Sequence, residues 1–186
     1  ISVSDNTATD TLITYLGRNN IEKILPQRTK PLLKTTEMFK LKWGVELSVK
    51  QSFINSSLEE KRKILKNIET VDIKRVKLQY QPTLINEIEW FLTTKELCQV
   101  IYEIKDNTSL TISNNLGINR KKWDLFAFKG GNEPGVLNLT YLIRKTEQSD
   151  YYCISITVNN EEKEAETKKL IELAGRLVVL IENEKM

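Results

Sequence analysis

The period of the apolar residues changes once along this chain, and that change constrains the fold more than any other feature. Up to about residue 112 apolar side chains recur near every fourth position, the spacing of one helical face. After it they alternate with period two in "WDLFAF" (123–128), "VLNLTYLIR" (136–144) and "YYCISITV" (151–158), as in strands with one buried side. The connections "KGGNEPG" and "KTEQSD" are short enough to join antiparallel neighbours. The pattern closes on an amphipathic stretch at about 159–184, with Leu170, Leu173, Ala174, Leu177 and Ile181 on one side and Asn159 and Glu162 as its capping pair. The expectation is an α+β chain. A helical subdomain takes in residues 1–112, and an antiparallel meander covered by a C-terminal helix takes in 113–186. Three strands under one helix make a thin sheet, so further strands and a second helix are expected upstream.

Within the helical part, "TATDTLITYLG" places Ala8, Leu12, Tyr15 and Leu16 together and stops at Gly17. A short helix is expected at 20–25, ended by Pro26, and "KTTEMFKLKWG" reads as another, capped at Thr35 or Thr36. "SSLEEKRKILKNIE" carries Ser57 as cap with Glu60 three residues on. "TTKELCQVIYEI" starts at Thr93 or Thr94 with Leu97, Val100, Ile101 and Ile104 inward.

Histidine is absent, which removes the commonest general base, triads of the Ser-His-Asp kind and most zinc sites. Neither metal nor cofactor is expected. Cys98 and Cys153 fit no metal-ligand spacing and read as buried small hydrophobes. A net charge of +3 without a basic stripe argues against nucleic acid; the run "EKRKILKNIETVDIKRVK" reads as a solvated helix face. No apolar run reaches the length of a membrane span.

Two tripeptides stand out: Ser4-Asp5-Asn6 at a helix start and Lys129-Gly130-Gly131 at a strand end. Each alone is ordinary cap or turn chemistry. In this order and setting they resemble two of the three motifs, S-x-x-K, S-D-N and K-T-G, of class A β-lactamases and penicillin-binding D,D-peptidases. "KPLLKTTEMFKLKWG", "EIEWFLTTKELCQVI" and "FAFKGGNEPGVLNLTYLI" look like a less-characterised branch of that superfamily of serine hydrolases. The resemblance spans nearly the whole chain and implies a β-lactamase-like fold and acyl-enzyme chemistry. The substrate would be an amide, ester or β-lactam, a small molecule or peptide. Acyl transfer without histidine needs a serine nucleophile, a lysine as base, a proton route to the leaving nitrogen and an oxyanion site.

By that resemblance Ser4 relays a proton to the leaving nitrogen and Lys129 tunes Ser4 and draws in a substrate carboxylate. Asn6 holds the substrate's acyl-side carbonyl, and Asp5 braces the loop. Gly130 and Gly131 let substrate lie close to the strand, and the Asn132 N–H donates to the oxyanion. The site is expected between the helical and sheet parts. The chain departs from the pattern in three ways. It contains no Ser-x-x-Lys or Thr-x-x-Lys, so the nucleophile and its lysine are expected on a preceding segment of the same protein. Gly130 stands where the family has Thr or Ser. No Glu-x-x-Leu-Asn deacylation motif is present, with Glu87 and Glu89 in "INEIEWF" the nearest carboxylates. A catalytically inactive relative that binds peptidoglycan-like or peptide ligands is the alternative. A third reading, a helical adaptor beside an unrelated sheet, makes both tripeptides coincidences. Enzymes of the superfamily usually work outside the cytoplasm, so the resemblance implies a periplasmic or secreted location.

Overall fold

The computed structural model describes residues 3–112 and 118–183. It has a mixed α+β architecture that divides into two compact units. One runs Asp5–Leu92; the other takes in Ser4 with the chain from Thr93 onward. The boundary expected after residue 112 adjoins residues 113–117, which lie outside the described residues, as does the expected helix end at 184.

The first unit is helical: α1 (Asn6–Leu16), α2 (Arg18–Ile21), α3 (Thr35–Phe39) running into a π-helical turn at Lys40–Gly44, α4 (Leu47–Asn55) and α5 (Leu58–Asn67). Gly17 ends α1 at φ 80°, as its sequence position suggests. Ser57 and Glu60 cap α5 reciprocally. The core gathers Leu33, Met38, Leu41, Phe53, Leu65, Ile68 and Ile88. The face expected inward on α1 is not the one buried. Ile13 is enclosed, whereas Leu12 and Tyr15 are 57% and 85% exposed. Asp10 decides the rotation. Its carboxylate accepts the Thr35 and Thr36 N–H groups at 2.6 and 3.0 Å, capping α3 from a distance. Ile13, one turn after Asp10, follows it inward. α2 is also shorter than expected, and α4 was not anticipated.

In the second unit α6 (Thr94–Glu103) and α7 (Ser109–Ile112) precede β1 (Leu125–Glu133), β2 (Val136–Arg144) and β3 (Tyr152–Asn159). α8 (Thr167–Asn183) follows. The strands form an antiparallel sheet in the order β1-β2-β3. β1 does not stop before Lys129. It runs through Gly130 and Gly131 to Glu133, paired residue by residue with β2, and the turn is the two residues Pro134-Gly135. Proline presets one turn dihedral and Gly135 takes φ 85°, which a side chain would resist. α8 begins later than expected, because the Asn160 side chain accepts the Glu162 and Lys163 N–H groups in a local turn.

Strand alternation gives the sheet two different faces. Phe126, Phe128, Leu139, Tyr141 and Ile154 point towards Leu170, Ala174 and Val178 of α8. Tyr141 is fully enclosed; its hydroxyl finds no partner among the described residues, and burial pushes its pKa up to about 12. On the opposite face Ala127 and Leu142 meet Ile101 and Leu110. Cys98 and Cys153 are not separate buried thiols. They form a disulfide that ties α6 to β3 across 55 residues of sequence. The bond fixes the rotation of α6: Ile101 is buried with the Cys98 face, and Val100, expected inward, is 50% exposed.

Closing a loop of this length removes much of the unfolded chain's freedom. Replacing both cysteines by alanine is expected to cost about 3–4 kcal/mol. Urea unfolding of the oxidised protein and of the variant measures it, and reductant should move only the former.

Candidate active site

Lys129 and Ser4 are 125 residues apart in sequence and meet in space. The Lys129 ammonium donates to Ser4 Oγ at 2.8 Å and to the Gly130 carbonyl at 2.5 Å. β1 places the lysine. Its position opposite Thr140 sends its side chain to the face away from α8, just beyond the part of that face covered by α6. Ser4 is exposed and held at φ 53°, a left-handed conformation uncommon for any residue with a side chain.

Lys129 is half-buried, and that loss of water holds its ammonium below the usual 10.5. Between its folded pKa and 10.5 the folded lysine has lost a proton that the unfolded chain keeps. This group therefore makes the fold more stable as pH rises through that window and less stable below it. Chemically, a depressed lysine bonded to a hydroxyl can hold or pass a proton at that oxygen.

The same face carries a polar ladder that the sequence reading passed over. Thr140 donates to Asn138 Oδ1 at 2.9 Å, so the 2.9 Å contact between Thr140 and Ser155 is a bond donated by the serine. Asn138 in turn donates to Thr157 Oγ1 at 2.8 Å. The signal lay in the alternation itself: the β2 and β3 positions on Lys129's side turn from apolar to polar just where Lys129 begins.

Gly130 faces the other way, towards the α8 side. A Cβ there would lie 2.9 Å from Phe128 Cζ. Phe128 cannot easily withdraw, since its ring packs on Tyr141 with centroids 4.7 Å apart. The glycine at this position therefore has a steric partner two residues earlier. Gly131 has open space where its Cβ would be, and Asn132 is exposed. Among the described residues β1 is an edge strand, so alternate backbone groups along it point away from β2.

The remaining site residues belong to the helical unit. Asp5 is the N-cap of α1, and its carboxylate accepts the Ala8 N–H at 2.6 Å; Asn6 is the first residue of that helix and is exposed. Glu89 is bound to the fully enclosed Lys42, so it is an ion-pair partner; Glu87 is exposed. Among the described residues no group of three or more Cys, Asp or Glu is placed to hold a metal ion. No family model matches the chain, and no curated protein matches it.

Threonine at position 130 should cost about 1–3 kcal/mol in the native background and less beside Phe128→Leu. A double-mutant cycle in urea reads the coupling, and additive losses would show that Phe128 does not set this residue.

Proposed function

We propose that this chain carries the proton-relay half of a β-lactamase-like serine hydrolase acting by acyl-enzyme transfer on an amide, ester or β-lactam substrate. The observation that carries the reading is the 2.8 Å hydrogen bond from Lys129 to Ser4, the two residues the motif resemblance pairs. In this reading Ser4 passes a proton to the leaving nitrogen and Lys129 holds the hydroxyl in place. Lys129's charge also attracts an anionic substrate group, and substrate lies along the free edge of β1 near Gly131 and Asn132. Asn6 would hold the substrate carbonyl.

The nucleophile and its lysine would come from a preceding segment of the same protein. The other edge of the sheet supports a further strand: among the described residues β3 is unpaired on one side, and "YCISITVN" has no charge, proline or glycine to discourage pairing. The Cys98–Cys153 bond supports an oxidising compartment such as the periplasm or the exterior. Among the described residues no helix is long and apolar enough to cross a membrane.

Gly130 favours a second reading, an inactive relative that binds peptidoglycan-like or peptide ligands, because a hydroxyl that would help bind a substrate carboxylate is missing there.

The complete protein, with its preceding segment, separates the two. Treated with a fluorescent penicillin and a fluorophosphonate, it should label covalently at a serine of a Ser-x-x-Lys motif. Ser4→Ala and Lys129→Ala should each slow labelling by about a hundredfold or more. A complete protein without such a serine, or one that stays unlabelled, decides for binding.

A further inference from the structure

A cleft of about 340 Å³ opens in the helical unit, and none of the residues of the hydrolase reading lines it. Its apolar floor is Ile13 and Leu65, both buried. Its walls bring four cationic side chains, Arg18, Lys34, Arg62 and Lys66, against two carboxylates, Glu37 and Glu69.

The two arginines are held in place from behind. Arg18 bonds Glu37 at 2.5 Å, and the second oxygen of Glu37 accepts the Lys34 N–H at 2.8 Å. Arg62 bonds Glu22, whose other oxygen accepts the Leu32 N–H at 2.8 Å. Both carboxylates are buried and have a partner on each oxygen. Each guanidinium engages its carboxylate through a single terminal nitrogen, which leaves most of a five-donor fork available. The Lys34 and Lys66 ammonium groups have no ion pair among the described residues. The two guanidiniums are preorganised, because they are held in place before any ligand arrives.

We propose that this cleft binds a small phosphate-bearing anion, with Arg18 and Arg62 as fixed donors and Lys34 and Lys66 closing over the remaining oxygens. Glu22, Glu37 and Glu69 offset three of the four positive charges, so the case for phosphate is its several acceptor oxygens. These can meet the unused guanidinium donors and both ammonium groups together, where a carboxylate offers only two oxygens. The volume, near the small end for ligand sites, fits a phosphate with a compact body resting on Ile13 and Leu65. Glu69 is the opposing charge, and its carboxylate limits affinity.

Inorganic phosphate is the probe, titrated calorimetrically into the full chain at constant ionic strength set with chloride. The native protein should bind one equivalent. Lys34→Gln with Lys66→Gln should weaken binding at least about tenfold, since two charge-assisted contacts are lost. Glu69→Gln should tighten it several-fold. The control pair Lys163→Gln with Lys168→Gln removes the same charge elsewhere and should bind as the native protein does. Melting temperatures in chloride verify that each variant is folded; Lys34, Lys66 and Glu69 are chosen because their side chains carry no described ion pair. Absence of saturable binding to the native protein would overturn the proposal. So would equal weakening in the control pair, which would mark a general effect of net charge, or no gain from Glu69→Gln.

Discussion

Thr140 and Tyr141 are neighbours in β2 and face opposite ways, and the second unit depends on that alternation. On one side it delivers Tyr141, with Phe126, Phe128, Leu139 and Ile154, to α8. On the other it delivers Leu142 to α6 and Thr140 to a hydrogen-bonded ladder. The β1–β2 register then puts Lys129 across from Thr140, at the border between the apolar and polar parts of one face. A slip of one residue would send Lys129 into the α8 core and Phe128 out of it, an exchange that burial of the aromatic cluster forbids. The depressed lysine is a consequence of that border position.

Much of this was legible in the sequence where one physical signal dominated. Period-two alternation gave the three strands and their order, and the three-residue spacing Ser57–Glu60 gave one helix start, with both capping bonds formed. Thr93 or Thr94 marked another, where Thr93 proves to be the cap with Glu96 as its reciprocal partner. The reading faltered where a distant partner overrode a local preference. Lys129-Gly130-Gly131 looks like a turn because glycine is a poor strand former, yet pairing with all of β2 carries β1 through it. The α1 face follows Asp10's reach to α3, which no local window contains. Two cysteines 55 residues apart leave their pairing undecided until the fold brings their Cα atoms to 5.8 Å. The Ser4–Lys129 pairing was legible only through motif resemblance, since neither residue's surroundings announce the other.

The helical unit solves a different problem. Lys42, Glu22 and Glu37 are buried charges, and each is matched: Lys42 by Glu89, Glu22 by Arg62 and Glu37 by Arg18. Such pairs recover their dehydration cost only when the geometry is good and the other polar atoms have partners, which the backbone N–H groups on Glu22 and Glu37 supply. Charge here fixes positions more than it adds stability, and the cleft beside it inherits that rigidity.

The most direct test of the central claim, that a partly dehydrated Lys129 acts on the Ser4 hydroxyl, is the titration of Lys129 itself. Carbon-13 detection at Cε in lysine-labelled protein follows the ammonium in the native chain and in Ser4→Ala. The account predicts a midpoint below 10.5 in the native protein. It predicts a lower one still without the serine oxygen, which accepts from the charged form and favours it. An ordinary midpoint, the same with and without the hydroxyl, would contradict it.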